Sequence, residues 1–356
     1  MMYTNIAIGY ANRTGQTLAG IMTWIVEFLV ANSKPILQVL VLPGLAFTLV
    51  FAIVAVWFER KVLARAMLRV GPYYCGGRSG VLQVFADFIK LFLSEMIIPN
   101  DVNWVLFALS PIMVSFVPAL ALILIPFDAN WVMWDVGSLG LPMFIAIMGI
   151  APLMPIFAGW VSNNKYSFIG AWRVAFMYIS GEIPVVICAA AVAIMAGSFN
   201  LVDIVEAQNN MWFAVPQFIG FIIFFICVLI ESERTPFDIP VAETELVFGW
   251  RTEFSGILFG FTMMAEYVML QAWALLFITL YLGGYNGPII MGNVIGSHIF
   301  WLLAKFVAVV VFVILLRCIF SRPRMDQMLK IGWTYLTPIA LLNLFVVLGL
   351  KLMGVY

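Results

Sequence analysis

Long apolar runs dominate the chain, separated by short segments in which polar residues collect. About 20 apolar residues are enough to cross the hydrocarbon core of a bilayer as an α-helix. Windows of suitable length lie at 35–58, 104–125, 139–161, 173–196, 213–230, 254–282, 294–318 and 331–352. The pattern therefore predicts an all-α membrane protein, with a single domain of eight spans (35–356) after an N-terminal segment (1–34).

Two further segments fit a spanning helix less well. Residues 17–30 are too few to cross and include Glu27, which favours an interfacial helix or an extension of the first span. Residues 79–99 are amphipathic, because Gln83, Asp87, Lys90 and Ser94 share one stripe at helical spacing. Such a helix lies in the membrane plane or packs its polar stripe against a partner.

Composition and charge agree with this class. The chain is 64% hydrophobic and only 10% charged, whereas soluble domains contain about 25% charged residues. The net charge of zero gives no indication of a nucleic-acid partner. Most lysines and arginines fall in alternate loops, after the first, third, fifth and seventh spans. Basic loops mark the cytoplasmic side, so both termini are predicted to lie outside.

Carboxylates are concentrated in one place. The segment 231–253, here called the acid-rich segment, holds Glu231, Glu233, Asp238, Glu243, Glu245 and Glu253 among its residues. Proline residues at 236 and 240 interrupt any helical pattern there. Several acids so close together are expected to share protons and to titrate as a coupled set.

Charged residues also lie within the predicted spans. At about 1.5 Å per residue, Glu182, Glu266 and Lys305 are roughly 13–20 Å from the cytoplasmic edge. A charge at such depth costs about 2.5–3.5 kcal/mol on insertion scales, which favours a proton or ion relay. A buried Glu266–Lys305 ion pair that only orders helix packing is the alternative. Pro184, two residues after Glu182, indicates either an irregular, water-lined helix or an ordinary kink.

Other chemistry is poorly supported. The four cysteines are far apart and are expected to act as small hydrophobic residues. His298 is the single histidine, so we predict an interfacial hydrogen bond for it and no metal site. No phosphate-binding loop or nucleophilic set is present. Any redox cofactor is therefore expected on another chain.

Several motifs resemble, in order, those of a known family: the H subunit of respiratory complex I, or NADH dehydrogenase subunit 1. They are 57–61 (WFERK), 68–72 (LRVGP), 82–92 (LQVFADFIKLF), 159–167 (GWVSNNKYS), 196–200 (AGSFN), 234–238 (RTPFD), 264–267 (MAEY) and 322–327 (RPRMDQ). The resemblance covers roughly residues 35–350. It implies a membrane subunit of a proton-pumping oxidoreductase in a prokaryotic plasma membrane, joined to peripheral-arm and antiporter-like subunits.

The resemblance also implies roles for individual residues. The family shapes a chamber for a lipid-soluble quinone beneath an iron–sulfur cluster that a partner subunit holds. Glu59, Arg60 and Arg69 fall on its chamber motifs. The proton track implied by the resemblance comprises Glu182, Glu231, Glu243, Glu245 and Glu266, with Asp87 and Asp238 at its cytoplasmic end.

Two departures from the family pattern leave alternatives open. Val241 stands where an acid is usual, and Tyr73, Tyr74 and Cys75 replace the usual asparagine after Gly-Pro. These departures suggest a branch with another carrier, such as the archaeal enzymes that pass electrons from a deazaflavin coenzyme to methanophenazine. The matching subunit of a membrane-bound hydrogenase is an alternative function. A stand-alone ion transporter is a third, which the lack of an internal repeat disfavours.

Overall fold

The computed structural model describes residues 44–129, 131–240, 246–288 and 294–353. The described residues from Thr48 onward form one compact unit. The described residues contain helices but no strand, apart from an isolated bridge between Asp128 and Trp131. The predicted all-α fold is confirmed. The N-terminal segment 1–34, with Glu27, and the predicted start of the first span lie outside the described residues.

The α-helices of the described residues, in chain order, have the following bounds. They are α1 (Leu45–Ala66), α2 (Leu82–Leu93), α3 (Trp104–Leu122), α4 (Gly140–Met148), α5 (Leu153–Val161), α6 (Lys165–Ala196), α7 (Leu201–Ala207), α8 (Phe218–Glu231), α9 (Gly256–Tyr281), α10 (Val294–Ile319), α11 (Met325–Lys330) and α12 (Thr337–Leu352). A π-helical turn, Ile331–Leu336, joins α11 to α12.

Six helical stretches of the described residues are long and apolar enough to cross a membrane. They are Trp104–Leu122, Gly137–Val161, Lys165–Ala196, Gly256–Tyr281, Gly296–Ile319 and Met325–Leu352. The predicted first span corresponds to α1, which continues past Phe58 to Ala66. The predicted fifth span corresponds to α8, which has only 14 residues. The residues before it, 213–217, form turns, in which Pro216 has no N–H to donate.

The predicted third span is two helices rather than one. Helix α4 ends at Met148 and α5 begins at Leu153. Between them Pro152 has no N–H for a helical hydrogen bond, and Gly149 is a poor helix former. A Cβ at Gly149 would lie 2.5 Å from Glu182 Oε1. The interruption therefore leaves room for a carboxylate on the neighbouring helix α6.

Helix α6 starts eight residues before its predicted start. The side chain of Asn164 accepts a hydrogen bond from the Tyr166 N–H at 2.9 Å and caps the helix there. The helix then runs without interruption through Pro184 to Ala196. Glu182 consequently lies well inside a long helix that packs against α5, α8 and α12.

Helix α9 forms the centre of the fold. Every side chain from Val268 to Tyr281 is buried, and the aromatic rings of Phe224, Trp273, Phe277 and Tyr281 pack against one another around it. A helix that is apolar on all sides is expected in the core of a bundle. Its half toward the basic loops carries Glu266 and Tyr267, so these polar groups are held on a rigid element.

The amphipathic helix is shorter than predicted. Helix α2 covers Leu82–Leu93, and Ser94, whose backbone is extended, ends it. It cannot start at Ser79, because Gly80 has a φ of 64° and a Cβ there would lie 2.2 Å from Pro72 O. Val84 is buried, whereas Phe85 and Ile89 are exposed. The exposed apolar face and the polar stripe agree with a helix at the membrane surface.

Candidate functional site

A cavity of about 530 Å³ lies among α1, α2, α9 and α10. Most of its wall is apolar and includes Leu49, Ile53, Phe88, Phe259 and Met263. Its polar groups are those of Glu59, Arg60, Asp87, Lys90, Tyr267 and Arg317. A largely apolar cavity of this size with a few polar groups is typical of a small-molecule site.

The buried carboxylate of Glu59 organises the polar part of this cavity. Arg234 Nη1 binds both of its oxygens, at 3.1 and 3.0 Å. The Tyr267 hydroxyl donates to Glu59 Oε2 at 2.7 Å, and Arg317 also pairs with Glu59. The Arg234 guanidinium lies over the Tyr267 ring, 4.2 Å from its centre. One anion thus holds two arginines, leaving an excess positive charge beside the cavity.

The other predicted chamber residues are placed differently. Arg60 pairs with Asp87, which also accepts a hydrogen bond from Gln83 at 3.0 Å. This contact joins α1 to α2 at the cavity wall. Arg69 is exposed and does not line the cavity. Asp87, predicted at the cytoplasmic end of the track, therefore lines the cavity together with Glu59 and Arg60.

A second network begins one residue away, at Glu266. Arg251, in the 3₁₀ turn Gly249–Arg251, pairs with Glu266 through Nη1 and with Glu233 Oε2 through Nη2 at 3.0 Å. The Tyr178 hydroxyl donates to Glu233 Oε1 at 2.8 Å. The side chains of Arg251 and Glu233 are only 1% and 4% exposed. These four residues are called the Arg251 cluster.

Glu233 occupies an unusual backbone position at the end of α8. The Glu233 N–H bonds Ile230 O, and the Arg234 N–H bonds Leu229 O, which is the Schellman pattern that ends many helices. The left-handed residue of this motif is usually glycine, but here it is Glu233, with a φ of 50°. A residue with a Cβ in this conformation costs about 1–2 kcal/mol. Glu233 therefore occupies this position although its backbone conformation costs free energy.

Two more predicted track residues continue inward from the Arg251 cluster. Glu231, the last residue of α8, interacts electrostatically with Glu233 and with Glu182. A Cβ at Gly181 would lie 2.9 Å from Glu231 Oε1, so α6 and α8 meet closely at this carboxylate. Glu231 Oε1 is buried and has no hydrogen-bond partner among the described residues. Since α6 carries both Gly181 and Glu182, the structure brings Glu182 and Glu231 together.

Asp238 lies at the edge of the same network. It pairs with Arg322 at 2.7 Å and interacts electrostatically with Glu266 and Glu233. Burial, followed by the charge of Glu266, raises the pKa of Asp238 to about 6. Burial also raises the pKa of Glu233 to about 7, although Arg251 opposes this rise. Both carboxyls are therefore able to exchange protons near neutral pH.

Lys305 is not part of this network. Its ammonium group donates to the carbonyl oxygens of Leu282, Gly284 and Asn286, at 2.7, 2.9 and 2.8 Å. The Glu266–Lys305 ion pair considered from the sequence is therefore wrong, because Lys305 reaches the far end of α9. At that end His298 Nδ1 lies 2.5 Å from Asp128 Oδ1, as expected of a hydrogen-bonded histidine.

Sequence reasoning missed several residues of the two networks. Glu233 was recognised only as one acid of the acid-rich segment, Arg234 and Tyr267 only as parts of motifs, and Arg251 was not singled out. The sequence does place two arginines among the acids of this segment. Such a pattern predicts ion pairs but does not identify which residues pair. Glu243, Glu245 and Val241 lie outside the described residues.

The fold and site define an α-helical membrane protein in which an apolar cavity adjoins a buried network of arginine-paired carboxylates. A family model described as NADH dehydrogenase matches residues 38–348. The H subunit of NADH-quinone oxidoreductase from Bacillus thuringiensis (strain Al Hakam) is 41% identical over 314 residues, covering 86% of this chain and 93% of the relative. The corresponding subunits of Bacillus cereus (strain AH187) and Bacillus anthracis (strain A0248) match equally well.

The chain therefore belongs to the NADH dehydrogenase family, and within it to the membrane subunits of complex I that are similar to these H subunits. The resemblance inferred from the motifs is confirmed.

Proposed function

We propose that this chain binds a quinone in the 530 Å³ cavity and passes protonation changes from it to a carboxylate track for proton pumping. The track comprises Glu266, Glu231 and Glu182, with Asp238 at its start and Glu243 and Glu245 as further members. The names of the relatives favour quinone over methanophenazine as the carrier. The proposed partners are an iron–sulfur subunit of the peripheral arm and antiporter-like membrane subunits.

One observation carries the proposal: cavity and track meet on consecutive residues of α9. Tyr267 lines the cavity and donates to Glu59, whereas Glu266 pairs with Arg251. Neighbouring residues on a helix point about 100° apart, so one rigid element presents a group to each side. Arg234 interacts with both Glu59 and Glu266. A change of charge at the cavity therefore changes the electrostatic potential at Glu266.

The charges of the two networks support such coupling. The Glu59 group has two arginines for one carboxylate, and the Arg251 cluster has two carboxylates for one arginine. Each therefore carries one uncompensated charge when all members are ionised, and the two charges are of opposite sign. Reduction of the quinone takes up a proton near Glu59. The resulting change of charge at the cavity alters the free energy of proton binding at Glu266.

The test is Glu266→Gln, which keeps the shape of the side chain and removes its ionisation. The assembled complex is expected to reduce quinone yet lose most proton pumping, measured as protons translocated per quinone reduced in proteoliposomes. Glu206→Gln is the matched control, since Glu206 is an exposed glutamate of α7. Normal pumping by an assembled Glu266→Gln complex contradicts the proposal.

Quinone binding is tested separately with a photoreactive quinone analogue. Because the cavity wall is formed by α1, α2 and α9, cross-links are expected in peptides from these helices. An excess of unmodified quinone should abolish them. Labelling confined to α12, which does not line the cavity, would place the carrier elsewhere.

A further inference from the structure

We propose that Glu233 is an additional proton-binding group of the track, and that Arg251 determines whether the proton resides on Glu233 or on Glu266. This inference rests on the proposed pumping function and assigns a role to two residues outside the predicted track. It starts from the geometry of the Arg251 cluster, where one guanidinium contacts both carboxylates.

The cluster has room for the proton to move. A cavity of about 10 Å³ is bounded by Tyr178, Glu233, Arg251 and Glu266, with apolar side chains around them. This is about the space that one water molecule needs, and the surrounding polar atoms supply the partners such a water requires. Both carboxylates line this cavity, so one water bound in it would accept a proton from Glu266 and give another to Glu233.

The charge of the cluster favours one shared proton. Two carboxylates and one guanidinium leave one negative charge uncompensated in a buried site, and burial disfavours that state. Binding one proton makes the cluster neutral. The proton is then on Glu233 while Arg251 holds ionised Glu266, or on Glu266 while Arg251 holds ionised Glu233. The transfer moves only a proton, with no change in electron count.

Neighbouring groups set the proton affinity of Glu233. The ionisable groups that face it are Tyr178 of α6, Glu231 of α8, Asp238 of the acid-rich segment, Arg251 of the 3₁₀ turn and Glu266 of α9. Three are acids, and their ionisation raises the proton affinity of Glu233; the guanidinium and the phenol lower it. Glu233 therefore responds to the protonation of the track on both of its sides.

The position of Glu233 in the chain extends the path. It lies between Glu266, through Arg251, and Glu231, with which it interacts. The left-handed backbone at Glu233 turns the chain sharply between Glu231 and Arg234. This turn places Arg234 on the Glu59 side and Glu233 on the Arg251 side. Without Glu233, the track has no carboxylate between Glu266 and Glu231 among the described residues.

The first test is Glu233→Gln in the assembled complex. Arg251 then pairs with Glu266 alone and the track lacks its carboxylate beside Arg251, so most of the pumping per quinone reduced should be lost. The double variant Glu233→Gln/Arg251→Gln releases Glu266 from the guanidinium but still lacks the carboxylate between Glu266 and Glu231, so its pumping should stay as low as that of Glu233→Gln. An infrared difference spectrum of the wild type, recorded on quinone reduction, should contain a carboxyl band that Glu233→Gln removes.

A milder variant covers the case in which Glu233→Gln does not assemble. Tyr178→Phe removes the hydrogen bond to Glu233 and keeps the ring. Loss of this donor to the ionised form raises the pKa of Glu233, so the pH profile of pumping should shift to higher pH. A purely structural Tyr178 changes the amount of complex but not this profile.

Two results overturn the inference, and neither touches the proposed function. The first is Glu233→Gln with normal pumping and an unchanged carboxyl band, while Glu266→Gln has lost pumping. The second is an unshifted pH profile in Tyr178→Phe. Normal pumping in Glu266→Gln instead overturns the proposed function itself, so the two failures are distinguishable.

Discussion

Arg251 and Lys305 are cations enclosed at opposite ends of α9, and they are stabilised in different ways. Arg251 is held by the carboxylates of Glu233 and Glu266, whereas Lys305 is held by three backbone carbonyl oxygens and the face of Trp212. Carbonyl dipoles keep the same charge under all conditions, but a carboxylate loses its charge when it binds a proton. The groups that hold Lys305 therefore keep a fixed charge, whereas the groups that hold Arg251 do not.

Among the substitutions that test this difference between the Arg251 and Lys305 sites, Arg251→Leu is expected to have the largest effect. Removing one member of a buried ion pair leaves uncompensated charge and costs about 3–5 kcal/mol. We expect little assembled complex, measured by native gel and by the thermal midpoint of what assembles. Adding Glu233→Gln and Glu266→Gln should restore assembly, because no unpaired charge remains. If the triple variant is as unstable as Arg251→Leu, the unpaired carboxylates are not the cause of the lost stability.

A second prediction concerns pH. Glu233 and Asp238 have pKa values of about 7 and about 6, above their usual values near 4. The folded protein therefore binds more protons than the unfolded chain, and stability falls as pH rises from about 4 through 7. For Glu233 the contribution is on the order of 3 kcal/mol.

The measurement is the thermal midpoint of the purified complex between pH 5 and pH 8. Glu233→Gln should flatten the dependence, whereas Glu206→Gln should leave it unchanged. A Glu233→Gln complex with the same slope as the wild type contradicts the assignment.

The smallest effect is expected at the other end, from Lys305→Leu. Three carbonyl groups lose their donor, which costs about 1–3 kcal/mol, and the segment after α9 loses its anchor. The thermal midpoint should fall, yet protons pumped per quinone reduced by the assembled complex should not change. A Lys305→Leu complex that is stable but uncoupled would remove the distinction between the two ends.

The sequence was informative about class, helices and the presence of buried acids. Apolar run lengths predicted the spans, and the positions of Glu182 and Glu266 within them singled out these acids. Depth along a helix, however, says nothing about which neighbours a side chain meets. Lys305 has the same predicted depth as Glu266 but reaches the carbonyls of Leu282 and Gly284, because its flexible chain extends toward the far end of α9.

Partner choice across the fold was the part that could not be predicted. Glu59 and Arg234 are separated by 175 residues in sequence, and only the tertiary fold, which places the start of the acid-rich segment beside α1, brings them together. The helix break between α4 and α5 was also missed, since the apolar run continues through Gly149 and Pro152. Local patterns identify elements, whereas ion pairs depend on how the elements pack.

The shortness of α8 has an electrical consequence. Its 14 residues extend about 21 Å, whereas the hydrocarbon core of a bilayer is about 30 Å thick. The residues on either side of α8 therefore have to cover the remaining several ångströms, and any part of the acid-rich segment that does so experiences part of the transmembrane voltage. Moving one elementary charge across the full potential takes about 2.3 kcal/mol per 100 mV. On the proposed track, a proton that passes from Glu233 to Glu182 would move within that field, and an energised membrane would directly resist or assist the step.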